Sequence, residues 1–420
     1  MMKRNTLMGI SLSAVAVVGI CGSASAAERI TYSKDILPIL QENCIDCHRP
    51  GGANLGGMVA PMAFNTYAEA RPWAKAMAKA VSTGAMPPWS AAEKHRGEFI
   101  GERYMSEEDK ATIIKWVETG AARGNPKDMP APLEFASPDG WTIGEPDAVL
   151  SMPEPWFVPD DLLDHTEYFP TKITEAQMPV DRWIKAVEFR PGSEVVHHII
   201  ARPFGGIAPG NVPTVYRDGY SAKAVAGQDY VWNMHYHKEP GPGTGMFDQS
   251  SLAVVFYPEG YVPEHVLSTN PLGPMNFKIP AGDPNYEASA TYTFEKDTLI
   301  NGMMPHMHYR GTRVLYELFY PDGTEENLLS VPNYDFNWQT VYRFKEPKAV
   351  PAGTKVKFTG WWDNSADNLS NPDPTVDITW GEATDEEMLF GWLSFTNADE
   401  DATAHSGIVM RNRRRSSSDD

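Results

Sequence analysis

GNPKDMPAP, residues 124–132, divides the chain. A glycine and three prolines in nine residues, with few apolar side chains to bury, interrupt any helix or strand. Before this stretch the apolar residues recur at helical spacing, around residues 35–42, 67–81 and 107–118. The last of these is punctuated at both ends, with Ser106 and Asp109 as a capping-box-like start and Gly120 as a stop. After it the pattern changes to short β-type runs separated by turn signals: residues 186–189, 195–200, 252–257, 314–320 and 355–361. That spacing predicts antiparallel strands, not strands alternating with helices. The expected class is therefore multidomain α + all-β, a small helical domain followed by two antiparallel β-sandwich domains of jelly-roll type. The expected limits are 28–124 for the helical domain, 125–133 for a linker, and 134–272 and 273–398 for the two β domains. A Pro/Asn-rich stretch at 269–274 sets the boundary between the β domains. Residues 399–420 carry Arg411, Arg413, Arg414 and Arg415 followed by serines and aspartates, and are too poor in apolar groups to fold alone.

Lys3 and Arg4, an apolar run over residues 7–20, and Ala24, Ser25, Ala26 have the form of a secretory signal peptide spanning residues 1–26. Export to the periplasm is the expectation. The run is too short for a membrane anchor and no later segment is apolar for long enough to span a bilayer. Without residues 1–26 the charge is 34 basic minus 55 acidic groups, or −21, which argues against nucleic acid as a partner. Of the three cysteines, only Cys44 and Cys47 follow the leader. In an exported chain where disulfides are permitted, so few cysteines point to another use.

Cys44, Ile45, Asp46, Cys47 and His48 spell C-x-x-C-H, in which two thiols can take thioether bonds to a haem and the histidine can ligate its iron. The competing reading, a redox dithiol beside a bystander histidine, belongs more naturally in a mixed α/β setting. One covalent c-type haem is thus expected, and the helical domain reads as a cytochrome c. Met86, in the proline-stiffened stretch TGAMPPW (83–89), is the expected sixth ligand, with Met58 and Met62 as competitors. His95 is expected on an exposed loop.

The β region holds three informative histidine groups: His197 with His198, His235 with His237, and His306 with His308. Strand residues two apart share a face, so His306 and His308 make a natural metal claw. Adjacent histidines point oppositely, so His197 and His198 can share a metal only where the strand ends or bulges. Imidazoles suit zinc, copper, iron and nickel alike, and a thioether ligand shifts the preference towards Cu(I). His165, His265 and His405 are isolated.

VVHHII (195–200), NMHY (233–236), MPHMHYRG (304–311), YDFNWQ (334–339), DNSADNLSNPDP (363–374) and WGEATDEEML (380–389) together resemble the copper type II, ascorbate-dependent monooxygenases, which include dopamine β-hydroxylase and the peptidylglycine α-hydroxylating enzyme. The whole chain after the leader resembles bacterial fusions of a cytochrome c to such a module. The resemblance implies two copper ions, one held by His197, His198 and His235, the other by His306, His308 and Met388. It further implies that the second copper binds dioxygen and attacks a substrate C–H bond. The first would store and deliver an electron supplied by ascorbate or a periplasmic donor through the haem. The small-molecule substrate departs from that of the peptide-hydroxylating enzyme: Met304 stands where that enzyme has a carboxylate-binding arginine, and Phe390 and Trp392 replace its carboxylate-binding residues after the methionine, which points to an apolar substrate. The alternatives are a non-catalytic haem and copper electron carrier, or a copper-binding protein. His237 has no counterpart.

Overall fold

The computed structural model describes residues 29–52, 60–135, 140–399 and 401–404. The expected leader, Met58, His405 and most of the expected tail lie outside the described residues.

Local chemistry explains the helices. Helix Tyr67–Thr83 opens with a capping box, in which the Thr66 hydroxyl accepts from the Glu69 N–H while the Glu69 carboxylate accepts from the Thr66 N–H. It closes at Gly84, whose φ of 76° is the left-handed conformation glycine adopts without strain. Its buried residues Ala70, Ala74, Met77 and Val81 recur every three or four positions, so one stripe faces a core containing Tyr32, Ile113 and Trp116. Helix Glu107–Glu118 starts on Ser106, whose hydroxyl accepts from the Asp109 N–H.

With the short helix Leu37–Asn43 these are the three α-helices among the described residues, of which 36% are strand and 13% helix. Its strands fall into four larger sheets in a four-blade, propeller-like arrangement. The first sheet contains Ala148–Ser151, Ser251–Phe256, Arg182–Arg190 and Thr214–Val215, and the second Asp164–Lys172, Asp229–His237, Val196–Ile200 and Gly206–Ile207. The third contains Ser268–Leu272, Leu389–Asn397, Thr298–Met307 and Tyr342–Val350, and the fourth Tyr286–Thr293, Lys355–Trp362, Gly311–Phe319 and Glu325–Val331. Trp232, Ile184 and Leu252 belong to a core shared by the first two sheets, and Met307, Phe358 and Leu389 to one shared by the last two.

The expected class, a helical cytochrome domain followed by two sandwich domains, is thereby corrected: the protein is mostly β, with few helices and four blade-like sheets. The physical reason begins with the N-terminal segment, which does not close on itself. Ala91 and Phe99 leave the helical core and are buried in the core of the third and fourth sheets. Phe99 bridges to Phe344 with the rings stacked at 5.0 Å, and the Ile100 N–H donates to the Arg343 carbonyl. Trp89 meets Tyr342 edge-on at 5.1 Å. Helical periodicity reports which face of a segment is apolar, and leaves open which core that face enters.

His95 is likewise corrected. It is 2% exposed, its Nδ1 meets Glu98 at 2.9 Å, and its Nε2 accepts from the Ser330 N–H.

Docking of the N-terminal segment on this core makes a prediction. Phe99→Ala removes a fully buried ring and should lower the unfolding free energy by about 3–5 kcal/mol in urea titration; a loss below about 1 kcal/mol, the scale of an ordinary surface change, would contradict the docking.

Candidate metal centre

The first histidine set is built by a bulge. Strand Asp229–His237 pairs His235 with His198 and Tyr236 with Val196, so the register skips His197. The extra residue turns the chain and releases the adjacent histidines from opposite faces. Ring centroids of His197 and His198 lie 5.0 and 4.7 Å from that of His235, and one nitrogen from each of the three lies within 4.8 Å of the others. His235 Nδ1 faces His198 Nδ1 at 3.2 Å. His197 stacks flat on Phe336 at 4.5 Å, and both of its ring nitrogens are buried with no hydrogen-bond partner among the described residues.

The second set follows from strand alternation. His306 and His308 lie 5.2 Å apart with nearly perpendicular rings, while Met307 between them points into the core and is fully buried. The Tyr334 hydroxyl accepts from the Met307 N–H and donates to its carbonyl, fixing the backbone between the two rings. His306 Nδ1 meets Gln339 Oε1 at 2.6 Å and His308 Nδ1 meets the Glu386 carbonyl at 3.3 Å, so each ring has its Nε2 free for a metal. The Glu387 carboxylate accepts from the N–H groups of His308 and Arg310 and from the Trp362 indole. Burial pushes that carboxyl up to about 7, against the lowering effect of these donors. Met388 is half-buried between Glu387, whose carboxylate accepts from the His308 N–H, and Leu389, which pairs with Met307.

The two sets, expected as separate sites, meet across the sheets: His198 and His306 are 6.5 Å apart between ring centroids. His237 stands beside them, with Nδ1 on Asp164 at 3.1 Å and Nε2 facing the Tyr309 hydroxyl at 3.0 Å, so both its nitrogens are engaged. Sequence reasoning missed Asp164, Tyr309, Thr384 and the separate supporting roles of Phe336, Gln339 and Glu387. All of these but Asp164 lie in the quoted motifs, and no local spacing marks Asp164.

Burial, and after it the neighbouring imidazoles, holds His197 and His198 well below the ordinary histidine range. Burial brings His306 down to about 4, against the opposing Gln339 hydrogen bond, and His308 to about 3, aided by His306. Burial raises the Asp164 carboxyl, but the hydrogen bonds from His235 and His237 outweigh it and hold the group below the usual carboxylate range. Neutral imidazoles beside unsatisfied nitrogens form a donor set that fits a cation of the copper or zinc type.

On the apolar side, Phe390 pairs with His306 and Trp392 with Met304 in adjacent strands, and the Arg202 guanidinium lies over the Trp392 ring at 5.3 Å. That cation beside the expected apolar wall is a further group the sequence did not reveal.

Cys44 and Cys47 are unpaired thiols. Burial pushes Cys44 up to about 12 and raises Cys47, while Arg103 and Arg49 act on Cys47 in the opposite direction. His48 Nδ1 meets the Met62 carbonyl at 3.2 Å, and its ring stacks on Phe64 at 4.5 Å. Met62 thus supports His48 through its backbone. Met86 is half-buried just past helix Tyr67–Thr83, its N–H donating to the Ala80 carbonyl. Arg49 Nε and Arg103 Nη1 are buried without partners among the described residues, an arrangement that fits an anionic group near the thiols.

No family model matches the chain, and no curated protein matches it. Among solved structures, the chain is similar to the infectious bursal disease virus VP2 subviral particle at 10% identity, over 60% of this chain and 72% of that one, with a TM-score of 0.19. A Eubacterium rectale protein matches at 9% identity over 55% and 68%, also with a TM-score of 0.19. No helix among the described residues is long and apolar enough to cross a membrane.

The depressed imidazoles fix the sign of a pH effect. In the unfolded chain these histidines take up protons near pH 6.5, while the folded site keeps them neutral, so the unfolded state binds more protons between about pH 6.5 and 4. The stability they contribute is present above about pH 6.5 and lost as pH falls, by up to roughly 2 kcal/mol per strongly depressed ring at pH 5. Denaturation of metal-free protein at pH 7 and pH 5 checks this, and His306→Gln should flatten the profile; a profile identical to wild type would contradict it.

Proposed function

We propose that this protein is a periplasmic copper-dependent monooxygenase that hydroxylates a C–H bond of a small apolar substrate with dioxygen, taking electrons through a covalently attached c-type haem. The observation that carries this reading is the convergence of His197, His198 and His235 with His306 and His308, at a point where His197 presents two buried nitrogens that no protein group satisfies. An unsatisfied buried polar group costs about 1–3 kcal/mol, and a metal bond to one His197 nitrogen would remove that cost for the nitrogen bound. When bound, copper supplies one-electron and dioxygen chemistry at this place.

The residues divide that work. Gln339 and the Glu386 carbonyl hold the Nδ1 atoms of His306 and His308, which would leave both Nε2 atoms for the ion. Met388 adds a thioether, a soft donor that favours Cu(I), while the three-histidine set suits both oxidation states. Phe390 and Trp392 offer an apolar surface beside His306 on which a substrate can be oriented. In the N-terminal segment Cys44 and Cys47 would bind a haem through thioether bonds, His48 and Met86 would ligate its iron, and Arg49 and Arg103 would face its carboxylates. The Trp89 loop, packed on Tyr342, keeps the haem-bearing segment against the β core, so donor and acceptor share a high effective concentration. Ascorbate or a periplasmic electron donor would reduce it.

Metal analysis of protein matured in a periplasm, followed by oxygen uptake with ascorbate, tests the reading. Two coppers and one haem per chain are expected, with His308→Ala and Met388→Ala each losing one copper and oxygen consumption. Redox activity without oxygen consumption would favour an electron carrier, and one haem with no tightly bound copper would overturn the proposal.

A further inference from the structure

We infer that Asp164 is the positioning residue of the three-histidine set and that, with His237, it ties this set to the half of the protein carrying His306 and His308. The inference rests on reading the histidines as metal ligands. Asp164 opens strand Asp164–Lys172, and its side chain is 13% exposed. Its Oδ1 meets His235 Nε2 at 3.1 Å, while Oδ2 meets His237 Nδ1 at 3.1 Å and accepts from the Thr384 hydroxyl at 2.6 Å. The strand register puts His237 directly opposite Asp164, so backbone pairing holds the carboxylate at this place.

Two consequences follow. A carboxylate accepts only, so His235 carries its proton on Nε2 and turns the Nδ1 lone pair towards His198 Nδ1, 3.2 Å away. One carboxylate thereby selects the ligating atom of a histidine 71 positions away in sequence. The second consequence concerns the whole centre. Thr384 stands two residues before Glu386, whose carbonyl holds His308, and Tyr309, which faces His237 Nε2 at 3.0 Å, directly follows His308. The same hydrogen-bonded group therefore orients one ligand set and registers it against the other. With both of its nitrogens occupied, His237 is a strut of this group and not a ligand.

A merely structural role predicts loss of stability with unchanged metal chemistry, so the test reads metal binding directly. Cu(I) is titrated into metal-free protein against a chromophoric chelator, and Cu(II) spectra are recorded by electron paramagnetic resonance. Asp164→Asn is nearly isosteric but cannot accept from all three donors. It should bind Cu(I) at the three-histidine set 10- to 100-fold more weakly, the usual range for loss of a ligand-orienting partner, and keep the copper of His306 and His308. Its Cu(II) spectrum should change. Thr384→Val and His237→Gln should weaken the same copper by several-fold, less than Asp164→Asn, because each removes one strut and leaves the Asp164 contact to His235. If Asp164→Asn does not fold, these two variants carry the test. Wild-type affinity and spectra in the variants that fold would overturn the inference while leaving the metal reading intact. A wild-type protein that binds no copper would overturn the metal reading, and the inference with it.

Discussion

Five imidazoles meet where the β sheets face one another, and burial keeps four of them neutral. Burial drives His306 and His308 down to about 4 and 3, and places His197 and His198 well below the ordinary range. Neutral rings in such a place must still satisfy their nitrogens, because an unpaired buried donor or acceptor is costly. Gln339, the Glu386 carbonyl and Asp164 each take one nitrogen. What is left over includes both nitrogens of His197, which have no partner among the described residues. The candidate site is thus defined by subtraction: protein groups satisfy some of the ring nitrogens and leave others without a partner among the described residues.

The surrounding sheets serve this arrangement with ordinary strand geometry. Alternation puts His306 and His308 on one side of Met307, whose side chain anchors the strand in the core. A bulge at His197 achieves for adjacent residues what alternation cannot. The segment bearing Tyr334, Phe336 and Gln339 touches both sets, since Phe336 lies flat on His197 and meets His308 edge-on while Gln339 holds His306. Arg310, buried against Asn364 and the Asp385 carbonyl, stiffens the turn after His308 from beneath. Each of the motifs quoted from the sequence between residues 195 and 389 therefore has a place at or under the centre.

What was legible in the sequence was local. The Ser106 cap, the helix from Glu107, the paired spacing of His306 and His308, and the need for a bulge at His197 all follow from chain geometry within a few residues. The overall class was misread because helical periodicity over residues 30–123 looked self-contained, whereas Phe99 is buried in a β core with Phe344, far along the chain. His95 was misread for the same reason, its partner Ser330 lying 235 positions away. Asp164 carries no signature at all: an aspartate at the start of a strand is ordinarily a solvated residue, and only the fold brings Thr384 to it from 220 positions away.

Crystals of the copper-loaded protein, with anomalous differences collected on either side of the copper absorption edge, would locate the ions directly. Two copper peaks are expected, one within bonding distance of His197, His198 and His235 Nδ1, the other beside His306 and His308 Nε2 with Met388 sulfur as its third protein ligand. Copper bound elsewhere, or no copper peak at the junction of these histidines, would contradict the assignment of this cluster as the metal centre.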